Sequence, residues 1–492
     1  MNYYPNPKEA KKILRTGNYK TLPVSCSIDS NKKPTEIFRI LKNISHNVFI
    51  LESVEDSKKW GRYTFLGYDP ILELTCQNNQ VKIKSGTSFI FENVSPHAYI
   101  RQIIEENKSP HVSGLPTFTG GLVGYFSYDF IKYSEPQMIL DAKDEEGFND
   151  VDLMLFDKVI VIDNLENKIL FLVNVKTDNF ETNYNKGLLD LAQLVNLIQT
   201  GALKKEPVGK LLEPLSPLFD KKTYCEMVEK AKHHIFEGDI FQVVLSNRWS
   251  AKYSGSLFHT YCSLRETNPS PYMFYFSSDE IEIAGASPET LVKVEGRKVS
   301  TFPLAGTRPR GKTKEEDLAL EKELLADEKE CSEHNMLVDL GRNDIGKVST
   351  FGSVVVEKYM SIERFSHVMH IGSTVHGVLQ ENKDALAALD AVLPAGTLSG
   401  APKIKACELI NTLENSKRGI YGGAIGYIDF SGNIDTCIAI RLAFKKNGKV
   451  FVRSGAGIVA DSIPENEYME CINKAKAVVN ALEVNHYDFT NR

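Results

Sequence analysis

The stretch Ile240-Phe-Gln-Val-Val-Leu-Ser246 alternates its side chains in the way that a β-strand of a packed sheet requires. Because successive strand residues point to opposite faces, Gln242 and Val243 take different faces. The residues before this stretch predict an amphipathic helix that begins near Tyr224 and is closed by Gly238, since apolar residues recur there at helical spacing. A helix followed at once by a long strand indicates that helices and sheets are mixed in this part of the chain.

Other short apolar or alternating runs bounded by turn residues predict further strands. These strands are expected at residues 48–51, 63–66, 71–74, 81–84, 159–162, 169–173, 272–276, 281–284, 291–294, 421–429, 434–444 and 450–454. Helices are expected between and after them at residues 34–42, 184–199 and 465–482. The sequence has no repeat of solenoid length. The mixture predicts an α+β fold with large, mostly antiparallel sheets.

One segment differs from its surroundings. Residues 201–220 carry Pro207, Pro214 and Pro217 and show little periodicity. Such a composition is typical of a linker. We therefore divide the chain into an N-terminal half, residues 1–215, and a C-terminal half, residues 216–492.

The composition argues against several classes of protein. The 492 residues carry a net charge of −6, with acidic and basic residues well mixed, so no basic surface typical of nucleic-acid binding is expected. No apolar run approaches the roughly 18 residues that cross a bilayer, and the N-terminus lacks the pattern of a signal peptide. The eight cysteines include no CxxC pair. We expect a cytoplasmic protein with reduced thiols.

Two acidic motifs, Glu330-Cys-Ser-Glu333 and Glu467-Tyr-Met-Glu470, lie in stretches that predict helices. At a spacing of three residues, both carboxylates of a pair point to one helix face. Two such faces brought together would form the carboxylate-rich site that Mg2+ prefers. A lone pair of this kind is most often a solvated helix face. The prediction of a metal site therefore also depends on the glycine-rich segments between the pairs, because glycine lets the backbone approach a ligand closely.

Several longer motifs resemble the signatures of one family. They are GASPE at 285–289, PLAGTRPRG at 303–311, SEHNMLVDLGRND at 332–344, GTLSGAPK at 396–403, and the glycines at 455 and 457 followed by the lysines at 474 and 476. With these motifs the chain is identified as a member of the chorismate-utilising enzymes, and within them it resembles the large subunits of anthranilate synthases. The resemblance covers nearly the whole chain. It implies sheets packed as a sandwich with helices outside, and two interwoven halves.

Two positions help to choose among the reactions that this family performs. Isochorismate-forming members activate water and carry a lysine base at the position of Gln242, but a neutral amide cannot take a proton from water. Many aminodeoxychorismate synthases carry a lysine nucleophile where Ala305 stands, and alanine forms no covalent adduct. The two residues together favour direct attack by ammonia. Two alternatives stay open: a 4-amino-4-deoxychorismate synthase, and a catalytically silent amino-acid-sensing or scaffold subunit.

The resemblance also implies a role for individual residues. Glu289 is the candidate general acid, and His370 is linked to the second step, in which pyruvate leaves. The full catalytic set is Glu289, His370, Thr397 and Gln242. Mg2+ would be held mainly by Glu333 and Glu470, with Glu330 and Glu467 as further direct or water-mediated ligands. The substrate cradle would consist of Gly306, Thr307, Tyr421, Arg441, Gly455, Ala456 and Gly457.

Regulation and partners follow from the same resemblance. The segments 51–53 and 268–273 are similar to the tryptophan-binding elements of the family, and the first of them gives the N-terminal half a regulatory role. The expected contacts with the inhibitor L-tryptophan are Ser53, Pro271, Tyr272 and Met273. The sequence shows no glutaminase triad pattern, so ammonia is expected from a separate glutamine amidotransferase subunit (component II). The family suggests a heterotetramer of two large and two small subunits that makes anthranilate and pyruvate from chorismate for tryptophan biosynthesis.

Overall fold

The computed structural model describes residues 2–53, 61–365 and 368–483. The helices of these residues are α1 (Pro7–Leu14), α2 (Pro34–Leu41), α3 (Pro96–Glu106), α4 (Phe180–Thr200), α5 (Lys221–Phe236), α6 (Phe258–Thr267), α7 (Lys314–Ala326), α8 (Glu328–Gly346), α9 (Ala385–Val392), α10 (Lys403–Glu414) and α11 (Pro464–Glu483). Short 3₁₀ helices cover Tyr128–Tyr133 and Gly396–Leu398.

The strands follow the same chain order. They are β1 (Thr21–Asp29), β2 (Val48–Glu52), β3 (Tyr63–Tyr68), β4 (Leu72–Gln77), β5 (Gln80–Ser85), β6 (Ser88–Asn93), β7 (Gly121–Phe126), β8 (Val151–Phe156), β9 (Lys158–Asp163), β10 (Lys168–Lys176), β11 (Lys210–Leu211), β12 (Ser216–Pro217), β13 (Gln242–Ser254), β14 (Tyr272–Ser277), β15 (Glu282–Ser287), β16 (Thr290–Glu295), β17 (Lys298–Thr301), β18 (Leu304–Pro309), β19 (Val355–Arg364), β20 (Val368–Val378), β21 (Gly400–Ala401), β22 (Ala424–Asp429), β23 (Ile434–Ile438), β24 (Leu442–Lys446) and β25 (Lys449–Ile458).

Two large antiparallel sheets contain these strands. The first sheet has the order β1-β10-β9-β3-β2-β14-β15-β24-β25-β13-β11, with β12 and β21 also paired to β13. The second has the order β18-β20-β17-β16-β23-β22-β7-β8-β4-β5-β6, with β19 paired to β20. Both sheets combine strands from before and after residue 215, because β2 pairs with β14 and β7 pairs with β22. The predicted α+β fold with large antiparallel sheets and interwoven halves is confirmed, whereas the boundary at residue 215 stays a prediction.

Aromatic side chains fill the space between the sheets. Phe49 of the first sheet packs edge-on against Phe156 of the second, with ring centroids 4.8 Å apart. Tyr427 of the second sheet contacts Phe118 at 4.4 Å and faces Phe65 of the first sheet at 6.3 Å. Edge-to-face pairs of this kind stabilise a core beyond the area they bury. The helices lie outside this layer, and α11 packs on β25.

Most predicted elements are present, but two strand predictions are wrong in part. The run 434–444 forms two strands, since β23 belongs to the second sheet and β24 to the first. The run 421–429 forms a strand only from Ala424, because Gly422 takes a left-handed conformation (φ +77°) that closes a turn. The predicted linker is mostly irregular, although the short strands β11 and β12 within it pair with β13. No helix among the described residues is both long and apolar enough to span a bilayer.

Candidate active site

A cavity of about 530 Å³ lies where elements of both sheets meet helices α8 and α11. It gathers predicted residues that are far apart in the sequence. Those that line it are Gln242, Glu289, Gly306, Thr307, Glu330, Glu333, His370, Thr397, Tyr421, Arg441, Gly455, Gly457, Glu467 and Glu470. Ala305, which helped to choose the reaction, also lines the cavity.

Glu289 and Arg441 lie on two neighbouring crossings between the sheets. Glu289 stands between β15 of the first sheet and β16 of the second, and Arg441 stands between β23 of the second and β24 of the first. Two backbone hydrogen bonds connect these crossings. The N–H of Ile438 donates to the carbonyl oxygen of Glu289 at 3.0 Å, and the N–H of Ala286 donates to the carbonyl oxygen of Arg441 at 3.1 Å. The fold thus brings a carboxyl group and a guanidinium to one end of the cavity.

The Glu289 carboxyl group is buried, and burial raises its pKa to about 8. A hydrogen bond from the Thr397 hydroxyl, 3.3 Å from Oε1, and the charge of Arg441 oppose this rise without cancelling it. At neutral pH the group therefore holds a proton that it can donate. This is the property that a general acid requires.

Arg441 has a left-handed backbone conformation (φ +51°), which is uncommon for a residue with a side chain. Burial lowers the pKa of its guanidinium, and the nearby Glu289 raises it. The structure gives this guanidinium no side-chain hydrogen bond to any described residue. A partly buried cation that lines a cavity in this way is suited to bind a carboxylate of a ligand.

His370 lies on β20, and residues of the paired strand β18 hold its ring in place. Its Nδ1 lies 2.8 Å from the carbonyl oxygen of Gly306 and 3.1 Å from the Thr307 hydroxyl. Gly306 (φ +66°) and Thr307 fall where the β18–β20 register shifts, so a bulge places them beside the ring. Burial lowers the pKa of His370, while the hydrogen bond to Gly306 raises it. The imidazole is therefore neutral at pH 7. Its Nδ1–H donates to the carbonyl oxygen of Gly306, and the lone pair of Nε2 is available as a base.

Gln242 begins β13 at the opposite wall. Its Nε2 is 3.4 Å from Oε1 of Glu333, and its buried Oε1 accepts no hydrogen bond from the described residues. A Cβ atom on Gly457 would lie 2.6 Å from Nε2 of Gln242, so a larger residue there would displace the amide from this position. An unpaired buried carbonyl at a cavity wall can accept a hydrogen bond from a small donor.

The glycine-containing end of β25 presents its backbone to the cavity. Strand β25 pairs with β24 only as far as Val452, so β24 does not cover the glycine-containing end. There Nζ of Lys474 donates to the carbonyl oxygen of Gly455 at 3.2 Å. In an antiparallel strand the N–H and C=O of one residue point to the same side, so the N–H of Gly455 also faces away from β13. Ala456 does not line the cavity, because its methyl group packs in an apolar cluster with Val243 and Leu245.

Four glutamates form the helical wall. Glu330 and Glu333 come from α8, and Glu467 and Glu470 come from α11. Burial raises the pKa of Glu330 and of Glu467, and the charge of the second glutamate on the same helix raises each further. Among the described residues, no three His, Cys, Asp or Glu side chains are arranged closely enough to hold a metal ion. The quartet is a set of mutually repelling oxygen ligands in one cavity.

Sequence reasoning missed two features of the site. Lys474 forms a 2.6 Å ion pair with Glu470, and its position four residues further along α11 could have indicated this contact. Behind the strands, buried Glu414 accepts hydrogen bonds from Arg418 and Arg453, each at 2.6 Å. Arg418 also donates to the carbonyl oxygens of Leu398 and Val244 at 2.6 Å. We call Glu414, Arg418 and Arg453 the buried ion network; it connects β13, β25 and the segment that carries Thr397.

The predicted tryptophan segments are adjacent. Strand β2 pairs with β14, and Glu52 lies opposite Met273, so Ser53 follows β2 beside the start of β14. Met273 is buried, and the Tyr272 hydroxyl bonds Thr290 and Asp435 of the second sheet. Glu52 is buried and is bound by Tyr261 and by Arg265, whose Nε is 2.7 Å from Oε1. The structure brings Ser53, Pro271, Tyr272 and Met273 into one region; their role stays a prediction.

Comparison with known proteins agrees with this architecture. Residues 47–480 match the family described as chorismate binding enzyme, and the chain belongs to that family. It is 44% identical to anthranilate synthase component 1 of Acetivibrio thermocellus, over 98% of this chain and 99% of that one. A crystal structure of anthranilate synthase component I from Streptococcus pneumoniae is 39% identical, with a TM-score of 0.76 over 87% of this chain and 94% of the other.

These relatives confirm the predicted branch of the family, an enzyme of the anthranilate synthase component I type. An isochorismate synthase from Escherichia coli shares the fold, with a TM-score of 0.68 at 20% identity over 96% of this chain and 98% of that one. The fold alone therefore does not choose the reaction, and the residues of the cavity must do so.

Proposed function

We propose that this chain is a lyase that converts chorismate and ammonia to anthranilate and pyruvate, as its relatives' name indicates. The observation that carries the proposal is the buried Glu289 carboxyl group near the guanidinium of Arg441, in the cavity that Gln242 and His370 also line. One cavity thus holds an acid, a cation for a carboxylate, a neutral amide and a neutral base. These are the groups that amination followed by elimination requires.

Chorismate carries two carboxylates, and the cavity offers two places for them. Arg441 can bind one of them in a bidentate manner. A neighbouring wall of the cavity carries two further donors. They are the N–H of Gly455, which faces away from β13, and the hydroxyl group of Tyr421, and both can donate to the substrate. Binding at these points fixes the ring between Glu289 and Gln242.

In the first step ammonia adds at C2 of the ring while the hydroxyl group at C4 leaves as water. The Glu289 carboxyl donates the proton that this leaving group needs, and Thr397 holds the carboxyl in place. The carboxylate that remains can then take up the proton that the added nitrogen releases. The unpaired Oε1 of Gln242 can accept a hydrogen bond from ammonia and orient its lone pair toward the ring. The side chain of Ala305 offers no nucleophile, so ammonia attacks directly.

In the second step a proton leaves C2, the enolpyruvyl C–O bond breaks and the ring becomes aromatic. We assign the base to Nε2 of His370, because Nδ1 is committed to Gly306. His370→Ala should slow anthranilate release about 100-fold or more while amination is slowed less, as expected for loss of one acid–base group. Quench-flow detection of the aminated intermediate measures the two steps separately. If both steps slow equally, His370 has no special part in elimination.

Mg2+ is the cofactor that the helical wall fits best, since carboxylate oxygens are its preferred ligands and four of them face one cavity. We propose Glu333 and Glu470 as the main ligands, with Glu330 and Glu467 as direct or water-mediated partners. When bound, the ion would neutralise this wall and the carboxylate on the substrate ring. The four side chains must move together to hold it, because no three acidic groups of the described residues are close enough as they stand.

We also propose a glutamine amidotransferase as the source of ammonia, because the relatives are named as the first component of an anthranilate synthase. The heterotetramer of two large and two small subunits belongs to the same proposal. Inhibition by L-tryptophan at Ser53, Pro271, Tyr272 and Met273 is supported by the adjacency of the two segments at the β2–β14 pair.

The experiment is fluorescence-detected formation of anthranilate by the purified chain with chorismate, Mg2+ and an ammonium salt at alkaline pH. We expect anthranilate and pyruvate in equal amounts, suppressed by L-tryptophan. Glu289→Gln, which keeps the shape of the side chain, should abolish turnover. Consumption of chorismate without anthranilate would instead identify an aminodeoxychorismate synthase, and no consumption by well-folded protein would contradict the proposal.

A further inference from the structure

The turn that carries Glu289 is held in an unusual way. Only Pro288 and Glu289 separate β15 from β16, which belong to different sheets. The hydroxyl group of Ser287 donates to the carbonyl of Ile438 at 2.7 Å and lies 3.4 Å from the N–H of Glu289. The position of the carboxyl group therefore depends on how these two sheets are joined at this point.

Tyr272 contacts this turn on both sides. Its backbone lies opposite Ser287 in the β14–β15 pair, two residues before Glu289. Its hydroxyl oxygen is 2.9 Å from the Thr290 hydroxyl, one residue after Glu289, and 2.8 Å from Oδ1 of Asp435 on β23. Because the carboxylate can only accept, Tyr272 donates to Asp435 and accepts from Thr290. One side chain of the first sheet thus bonds two strands of the second.

The same residue begins the strand beside the predicted effector segment. Met273, the next residue, lies opposite Glu52 at the end of β2, and Ser53 follows directly. A ligand that shifts the start of β14 relative to β2 would therefore move Tyr272. Tyr272 itself contacts residues on both sides of Glu289, so no longer chain of contacts is needed.

We propose that Tyr272 is a positioning residue, whose hydroxyl group fixes the Glu289 turn across the two sheets and transmits occupation of the effector segment to it. The inference rests on the proposed function, since it takes Glu289 as the acid and residues 51–53 and 268–273 as the tryptophan site. It explains why tryptophan need not enter the cavity to slow the reaction. The coupling is the difference in the free energy of tryptophan binding between a chain that holds this turn in place and one in which the turn has shifted.

The test is Tyr272→Phe, which removes the hydroxyl group and keeps the ring. We expect kcat to fall about tenfold with the KM for chorismate within about twofold, because the acid is misplaced while the binding groups stay. The alkaline fall of kcat, measured at constant free ammonia, should begin at lower pH as the carboxyl group becomes less confined. Tryptophan should still bind by calorimetry, but the maximal inhibition should be smaller.

Two further variants keep the result interpretable. Thr290→Val removes the same hydrogen bond from the other side, and the double variant should be about as slow as either single one. Tyr275→Phe removes another buried hydroxyl group from the same strand, bonded to Glu282 rather than to the Glu289 turn, and should keep its kcat. Wild-type kcat and full inhibition in Tyr272→Phe would overturn the inference, as would an equal loss of kcat in Tyr275→Phe.

A failure of the proposed function can be told apart from a failure of this inference. If Glu289→Gln retains turnover, then Glu289 is not the acid and the basis of the inference is lost. If Glu289→Gln is inactive and Tyr272→Phe behaves as wild type, the acid stands and the positioning role is wrong. Loss of tryptophan binding in Tyr272→Phe would show that the hydroxyl group holds the ligand itself, and its role as a transmitter would be wrong.

Discussion

Two groups of charged side chains flank the cavity, and they are built in opposite ways. The buried ion network places Glu414, 1% exposed at its side chain, between two guanidiniums. Burial alone would raise the pKa of Glu414, but Arg418 and Arg453 hold it below its ordinary value. In the quartet of glutamates on the helical wall, Glu470 is 46% exposed, and negative charges lie close to one another. The comparison indicates that the first group holds the strands in place and that the second is arranged for a ligand.

The largest expected effect comes from removing the charge at the centre of the buried ion network. Glu414→Gln leaves two buried guanidiniums without a counter-charge and should lower the free energy of unfolding by about 3–5 kcal/mol. Urea unfolding followed by circular dichroism measures this change.

The matched control lies on the same helix. Glu408 of α10 is exposed, and its one ion pair with the described residues is the 4.0 Å contact with Lys405, so Glu408→Gln should stay within about 0.5 kcal/mol of wild type. Equal stabilities of the two variants would mean that the buried network does not hold the strands, and the contrast between the two groups would be lost.

The second effect tests the helical quartet. Mg2+ at a hundred times its dissociation constant should stabilise the wild-type chain by about 2.7 kcal/mol, because it binds the folded state alone. Glu333→Gln and Glu470→Gln should each reduce this gain, whereas Glu357→Gln, on exposed β19, should keep it. Urea unfolding with and without Mg2+ supplies the measurement. A wild-type chain that is indifferent to Mg2+ would remove the quartet as a metal site.

The third effect concerns Glu289, a buried carboxyl group whose pKa is raised by burial although the charge of Arg441 opposes the rise. Its pKa of about 8 exceeds the unfolded value, so the unfolded state loses the proton first as pH rises. The stabilising effect of this group is thus complete below about pH 4 and is lost progressively up to about pH 8. Glu289→Gln should therefore gain on the order of 2 kcal/mol relative to wild type between pH 5 and pH 8.

The measurement is urea unfolding of both proteins at these two pH values. The same substitution should abolish turnover, so the variant would be more stable and inactive at pH 8. A stability difference that does not change with pH would show that the Glu289 carboxyl group ionises in the folded chain as it does in water.

Regular elements and local motifs could be predicted from the sequence because their signals are short-range. The alternation of β13 and the helical spacing of Glu330 and Glu333 both lie within a few residues. The single strand predicted over 434–444 failed because most of the run is apolar and it carries no glycine or proline where the chain changes sheets. The conformation of Arg441 at this crossing is fixed by tertiary pairing, which leaves no local signal.

The buried ion network could not be predicted for a related reason. Arg453 and Glu414 are 39 residues apart, and charged residues in a sequence are most often solvated. Their burial follows from β25, β13 and α10 packing together, which is a property of the whole fold. The quartet was found because each pair carries its own helical spacing, although the distance between the pairs was not available from that spacing.

The smallest expected effect has the opposite sign to the first. Glu330→Gln removes one of two like charges spaced three residues apart on α8, a pair that destabilises a helix by about 0.2–0.5 kcal/mol. Arg308, 3.8 Å from Glu330, keeps closer partners in Glu323 and Asp327, each at 2.9 Å. Without Mg2+ the variant should therefore be slightly more stable than wild type at pH 8, whereas Glu414→Gln is far less stable. Urea midpoints in EDTA measure the difference, and a clear loss of stability would show that Glu330 is held by favourable contacts rather than kept for a ligand.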